Sequence, residues 1–181
     1  MNRTLLAILA TGVLAATPAV ASAQLSTGFS IAGGLAMPTG NFANGVSSGF
    51  NGALGLNIGA PLVPVGVRIE GGYNGFNGKN LPAGSSGDVR VLSGTVNATL
   101  GMGLPYLIGG VGYYGARATA SSGGFSASST QSAAGFNVGA GLRFPLGLLS
   151  TFAEVRYHKM MGDANNGGDI SYVPITFGVQ F

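Results

Sequence analysis

The chain has 181 residues, of which 7% are charged and 46% hydrophobic, with a net charge of +3 and no cysteine. Soluble domains carry about 25% charged residues, so this composition makes a poor water-facing surface. Without cysteine there is no disulfide framework, no thiolate metal site and no lipoprotein anchor. The few basic residues form no cluster with interleaved aromatics, so nucleic acid is not an expected partner.

The chain opens with Asn2-Arg3-Thr4, a short basic start, followed by an apolar run from Leu5 to Ala16 and then Pro18. Small residues at Ala21 and Ala23 suit the −3 and −1 positions of a signal peptidase. This order of segments predicts a secretory signal peptide over residues 1–23, export through the Sec pathway and a mature domain over residues 24–181. The apolar run is too short to span a bilayer as a helix, which takes about 20 residues. No later stretch is long and apolar enough either.

Eight segments then alternate apolar and small or polar residues, as half-exposed strands do. The first, Thr27–Met37, places Phe29, Ile31 and Leu35 on one face and Ser30 and Ala32 on the other. The second, Gly49–Gly59, sets Phe50, Leu54, Leu56 and Ile58 against Asn51 and Asn57. In the third, Val65–Phe76, Val67, Ile69 and Tyr73 oppose Arg68, Glu70 and Asn74. The fourth, Val89–Met102, opposes Val96, Ala98, Leu100 and Met102 to Thr95, Asn97 and Thr99. The fifth, Pro105–Ala116, is rich in Gly and Tyr; its facing is ambiguous, and a bulge that shifts the register would account for that. The sixth, Ala134–Phe144, sets Phe136, Val138, Ala140 and Leu142 against Asn137 and Arg143. The seventh, Thr151–Met160, opposes Ala153, Val155 and Tyr157 to Glu154, Arg156 and His158. The eighth, Ile170–Phe181, carries one apolar face of Val173, Ile175, Phe177, Val179 and Phe181.

The connections alternate in length. Ala60–Pro64, Gly103–Pro105 and Pro145–Leu149 are short and contain proline, which suits a turn. Pro38–Ser48, Asn77–Asp88, Thr119–Ser132 and Met161–Asp169 are long and rich in Gly, Asn, Ser and Asp. In lipid every backbone polar group must be paired internally, so a spanning chain without helices closes into a barrel. Bacterial barrels have an even number of strands, short periplasmic turns and long outer loops. The expected fold is therefore all-β: an eight-stranded antiparallel up-and-down transmembrane β-barrel in the bacterial outer membrane, with both termini periplasmic.

In such a barrel the apolar face meets lipid and the polar face fills a lumen just wide enough for side chains. Arg68, Glu70, Arg143, Glu154, Arg156 and His158 all fall on the polar face and form a candidate luminal charge network. Charges there must be paired or hydrated. The same groups would select ions if the lumen were a narrow pore. Tyr73, Phe76, Tyr113, Tyr114, Phe136, Tyr157 and Tyr172 are candidates for interfacial aromatic belts. His158 is the one histidine and the natural candidate for neutral-pH acid–base work, but Glu154 lies about 13 Å away along an extended strand. Asp163 to Asp169 resembles an acidic turn but does not follow the EF-hand order, and no cofactor or metal is expected.

The closing segment Ile175-Thr176-Phe177-Gly178-Val179-Gln180-Phe181 resembles the β-signal that outer-membrane barrels present to their assembly machinery, with Ile175, Phe177, Val179 and Phe181 at the alternate apolar positions. Gly33 to Phe42, Pro105 to Tyr113 and Glu154-Val155-Arg156-Tyr157 are similar to stretches of small outer-membrane β-barrel domain proteins. The chain thus resembles the OmpA/OmpX-like barrel superfamily over its whole mature length. That resemblance implies no single activity, because such domains serve as stabilisers, adhesins, small pores and occasionally enzymes. It implies outer-membrane lipids and lipopolysaccharide as surroundings, and the barrel assembly machinery and periplasmic chaperones as partners during biogenesis. Lipid A deacylases are barrels of this size whose motif has Ser directly after His; Lys159 follows His158 here, so the motif is absent. The expectation is a monomeric, non-enzymatic barrel with a side-chain-filled polar lumen and a role in envelope integrity or surface interaction. The alternatives are a narrow pore for ions or small solutes and, behind it, a lipid-modifying enzyme.

Overall fold

The computed structural model describes residues 26–60, 63–162 and 168–181; Ala21, Ala23 and the middle of the acidic turn lie outside them. Eight strands follow in chain order: β1 (Ser26–Thr39), β2 (Gly49–Gly59), β3 (Val65–Asn77), β4 (Ser85–Gly101), β5 (Pro105–Ser122), β6 (Phe125–Leu146), β7 (Leu149–Met160) and β8 (Ile170–Gln180). A single helical turn, α1 (Phe42–Gly45), sits between β1 and β2. Every strand pairs antiparallel with its sequence neighbours, and β1 pairs with β8 from Ser30↔Gln180 to Thr39↔Ser171. The sheet is therefore a closed barrel, in which the spanning wall has no unpaired edge. Backbone bonds between Phe29 and Phe181, at 2.7 and 2.9 Å, extend the seam below that ladder.

The alternation read from the sequence sets the two surfaces. Phe29 and Leu54 are 61% and 64% exposed on the outside, while Arg68 and Asn97 are 1% exposed within. An apolar exterior around a polar interior is the inverse of a soluble sandwich and suits a lipid-facing wall.

Three sequence expectations change. The segment 119–132 is not a loop. β5 and β6 run through it as a hairpin, closed by Gly123 and Gly124 at φ 57° and 86°. Two positive φ values suit a two-residue hairpin turn. The Ser, Thr and Ala residues there show no apolar alternation, so the segment reads as loop although its backbone pairs as strand. Likewise, β6 carries Pro145 to Leu146, and the expected turn shrinks to Gly147-Leu148, with Gly147 at φ 67°. The fifth strand contains no bulge: β5 keeps unbroken register with β4 and β6, and Tyr106, Ile108 and Tyr114 face inward. Gly109, Gly110 and Gly112 have no side chains to mark the alternation, and inward Ile108 contradicts the polar pattern.

One ladder is interrupted. The β7–β8 pairing passes from Val155↔Ile175 to His158↔Tyr172, skipping the two steps opposite Pro174 and Val173. Proline has no N–H to give to that ladder, whereas its pairing toward β1 is intact.

Candidate functional site in the barrel lumen

The lumen is built in three levels. The middle level holds the charges. Arg68 and Glu70 stand two apart on β3, and Glu154 and Arg156 stand two apart on β7. Four antiparallel steps separate β3 from β7, so the two strands run in the same direction on opposite walls. Their charge orders are reversed, which puts Arg68 across from Glu154 and Glu70 across from Arg156. Arg68 Nη1 donates to Glu154 Oε2 at 2.8 Å, and Arg156 Nη2 donates to both oxygens of Glu70 at 2.7 and 2.9 Å. Arg156 Nε lies 2.7 Å from Glu154 Oε1, a close charge contact without hydrogen-bond alignment, and Arg68 Nη1 lies 3.8 Å from Glu70 Oε2. The four groups form a ring of alternating charge across the full width of the lumen. Removing one partner from such a buried ring leaves an uncompensated charge, which costs about 3–5 kcal/mol.

Neutral polar groups brace the ring. Arg68 Nε donates to Asn57 Oδ1 at 2.8 Å, and the Tyr106 hydroxyl donates to Glu154 Oε2 at 2.7 Å. Asn97 donates to the Arg68 carbonyl at 3.2 Å and accepts from Asn137 at 2.8 Å. On the opposite side Thr176 donates to Asn51, which donates to Asn74 at 2.7 Å.

The level toward the long loops is apolar and aromatic. Phe76, Val91, Tyr114, Met160 and Tyr172 are buried in one cluster that Val46 and Phe42 cap from the α1 connection. His158 belongs here. Its ring stacks on Tyr172 at 5.1 Å and 7°, and its Nδ1 lies 3.1 Å from the Tyr114 hydroxyl.

The level toward the short turns is hollow. A cavity of about 350 Å³ opens at that mouth, lined by Asn57, Tyr106, Arg143, Ser150 and Gln180 among others. Arg143 stacks its guanidinium over the Tyr106 ring at 5.0 Å and takes no part in the charge ring. The six charge-network candidates are thus divided among the levels: four in the ring, His158 above it and Arg143 below.

The sequence profile of the outer membrane protein beta-barrel domain matches residues 6–181. The chain belongs to that family. No curated protein sequence matches it. Among solved structures, a major outer membrane protein from Thermus thermophilus aligns with a TM-score of 0.61 at 15% identity, over 86% of this chain and 98% of that one. Neisserial surface protein A (NspA) aligns at 0.56 and 14%, over 87% and 97%. Ail, the attachment invasion locus protein of Yersinia pestis, aligns at 0.50 and 19%, over 88% and 99%. At these identities the likeness is one of fold. The chain is a bacterial outer-membrane barrel of the small, OmpA/OmpX-like kind.

The remaining sequence candidates fall in this family's barrel as follows. Ile175, Phe177, Val179 and Phe181 line the outer face along β8 and its end, with Phe177 and Phe181 well exposed. Of the seven belt candidates, Phe76, Tyr114 and Tyr172 are corrected: they point inward and fill the loop-side level. Tyr113 is exposed on the outer wall, Tyr73 stacks with Phe50 at 5.4 Å, and Phe136 lies 6.3 Å from Tyr157. Asp169 takes a 2.8 Å ion pair from Lys159, and that hydrogen bond holds its carboxyl below the ordinary range. Among the described residues no group of three or more His, Asp or Glu is placed to hold a metal. Sequence reasoning missed the part played by Tyr106. Strand parity carried a signal for the aromatic level: Phe76 shares parity with Arg68 and Asn74, and Tyr172 with Thr176.

Proposed function

We propose that this chain is a non-enzymatic, non-conducting outer-membrane barrel whose task lies at its loop-side surface. The observation that carries the reading is the double closure of the lumen. The charge ring ties β3 to β7 across its width, and an aromatic level with Phe42 and Val46 lies above it. A water path would have to part both. His158 has a tyrosine, not a nucleophilic serine, as its hydrogen-bond partner, which argues against hydrolysis.

Planar bilayer recording tests this directly. The expected result is a quiet membrane with the native barrel. Reproducible unitary currents, altered in selectivity by Arg68→Ala plus Glu154→Ala, would establish the pore instead. Unchanged lipid A mass spectra with and without the chain are expected in the same host.

A specific observation favours surface interaction over a purely structural role. β6 pairs with β7 only from Gly135 upward in number. Between Phe125 and Ala133 its outer edge has no strand partner among the described residues, and that stretch carries no charge and no proline. An uncharged open edge is a template for adding an extended segment of another chain. Ail's name as an attachment protein is in keeping with such a role. Cells displaying the native barrel are expected to retain proteins from a matrix-protein mixture that Ser126→Lys plus Ser128→Lys displays do not. Equal retention would sink this part of the reading.

The same proposal includes removal of residues 1–23, Sec export, periplasmic termini, and monomers in contact with outer-membrane lipids and lipopolysaccharide. It also includes Ile175, Phe177, Val179 and Phe181 as the strand read by the assembly machinery after passage with periplasmic chaperones. Protease added to intact cells is expected to cut at Gly123-Gly124 and to spare both ends.

A further inference from the structure

The described side chains of the lumen include three arginines, Arg68, Arg143 and Arg156, and two glutamates, Glu70 and Glu154. Every interior ion pair goes to Arg68 or Arg156. Arg143 therefore carries one unmatched positive charge at the turn-side mouth. Its Nε is buried and has no hydrogen-bond partner among the described residues. A partly buried guanidinium with an idle donor is costly unless an anion or water completes it.

The space beside it exists for a structural reason. Gly59 and Gly101, where a Cβ would have ordinary clearance, line the mouth beside Gly28 and Gly66, and the hollow there measures about 350 Å³. Liquid water occupies about 30 Å³ per molecule, so the hollow has room for a tetrahedral oxyanion with water around it. Ser150 and Gln180 stand on the same wall, and the Gln180 amide oxygen is also buried without a partner among the described residues. Tyr106 holds the guanidinium through its ring, while its hydroxyl is committed to Glu154. The planar fork of Arg143 is thus held in place with its Nε–H left over.

We infer that the turn-side mouth is a binding site for a single oxyanion group, phosphate or carboxylate, gripped by Arg143. A guanidinium binds such groups through two parallel N–H···O bonds, which an ammonium cannot reproduce. The group could arrive as a free ion or as the phosphate of a lipid headgroup at the membrane surface. The site does not depend on whether the lumen conducts or on what the loops bind.

The test is a titration of the folded barrel, in a phosphate-free maltoside detergent, with inorganic phosphate followed by NMR. The Arg143 Nε–Hε signal and the Ser150 backbone amide are expected to shift saturably, while the Nε–Hε signals of Arg68 and Arg156 stay in place. Arg143→Gln is expected to weaken the Ser150 response by roughly tenfold or more. Arg143→Lys should fall between the two, and it carries the test if the glutamine variant does not fold. A parallel sample in phospholipid nanodiscs without added phosphate separates the sources. Signals already at the shifted position identify the headgroup, and signals that move only on adding phosphate identify the free ion. The inference is overturned if sodium chloride at equal ionic strength reproduces the shifts, if Arg143→Gln responds as the native barrel does, or if neither medium moves the signals.

Discussion

The two ends of the lumen are made from the same eight strands in the same register, yet one is closely packed and the other keeps a cavity. At the loop side the inward positions hold Phe76, Val91, Tyr114, Met160 and Tyr172. At the turn side the mouth is lined by Gly28, Gly59, Gly66 and Gly101. Closing a sheet of eight strands fixes the width of the tube and nothing about its contents. What fills each level is decided by side-chain volume at alternate residues, and the charge ring separates the filled half from the hollow one.

The largest test of that division is to remove the ring. Glu154→Ala leaves Arg68 and Arg156 short of a buried partner and deprives the Tyr106 hydroxyl of its acceptor. We expect a loss of about 3–5 kcal/mol, read from urea unfolding of the barrel in detergent. Exchanging all four charges together (Arg68→Glu, Glu70→Arg, Glu154→Arg, Arg156→Glu) keeps the complementary order and should recover much of it. Exchanging only the pair on β3 sets like charges opposite one another and should recover nothing.

Next in size is a single methyl group placed at either end. At Gly135, on the loop side, a Cβ would run into the Lys159 carbonyl and lie 2.8 Å from the Tyr114 ring. Gly135→Ala should therefore cost about 1–3 kcal/mol, the ordinary penalty of overpacking. At Gly59, on the turn side, the nearest atom would be Ser26 Oγ at 3.7 Å, an ordinary contact. Gly59→Ala should stay within about 0.5 kcal/mol of the native barrel or gain slightly, since alanine gives up less chain entropy. Similar losses at both positions would remove the distinction between the two halves.

The smallest effect is expected from Tyr172→Phe, which keeps the stacking on His158 and removes the hydroxyl that accepts from Asn74 at 3.2 Å. The expected change is about 1 kcal/mol in the same unfolding measurement. A much larger value would show that the loop-side level is held by its polar bonds more than by its packing.

The wall of the barrel was legible in the sequence because alternation needs only a contrast between neighbours. β2 and β3 supply that contrast at almost every step, with Leu54 and Ile69 against Asn57 and Arg68. β5 does not, because Gly109, Gly110 and Gly112 leave its centre without side chains to compare. The upper parts of β5 and β6 were illegible for a related reason: outside lipid, a Ser- and Ala-rich strand has no apolar face to display. The six inward charges could be read one strand at a time. Their division into a ring of four, a stacked histidine and an isolated arginine could not, because it depends on which strands face each other across the closed sheet. Arg143 looks like any other inward arginine until Glu70 and Glu154 are seen to be taken.

The seam between β1 and β8 has a consequence for how the molecule comes into being. Its pairs join residues near opposite ends of the domain, with Ser30 bonded beside Gln180 and Phe29 beside Phe181. No stretch of chain shorter than nearly the whole domain can form it, so this closure carries the greatest loop entropy of any step. Until it forms, β1 and β8 each present a row of unpaired amides to lipid, where nothing else satisfies them. The barrel therefore has no stable half-built form within the bilayer. The β1–β8 ladder is the one that completes the wall, and until it forms those two strands need their amides shielded from lipid.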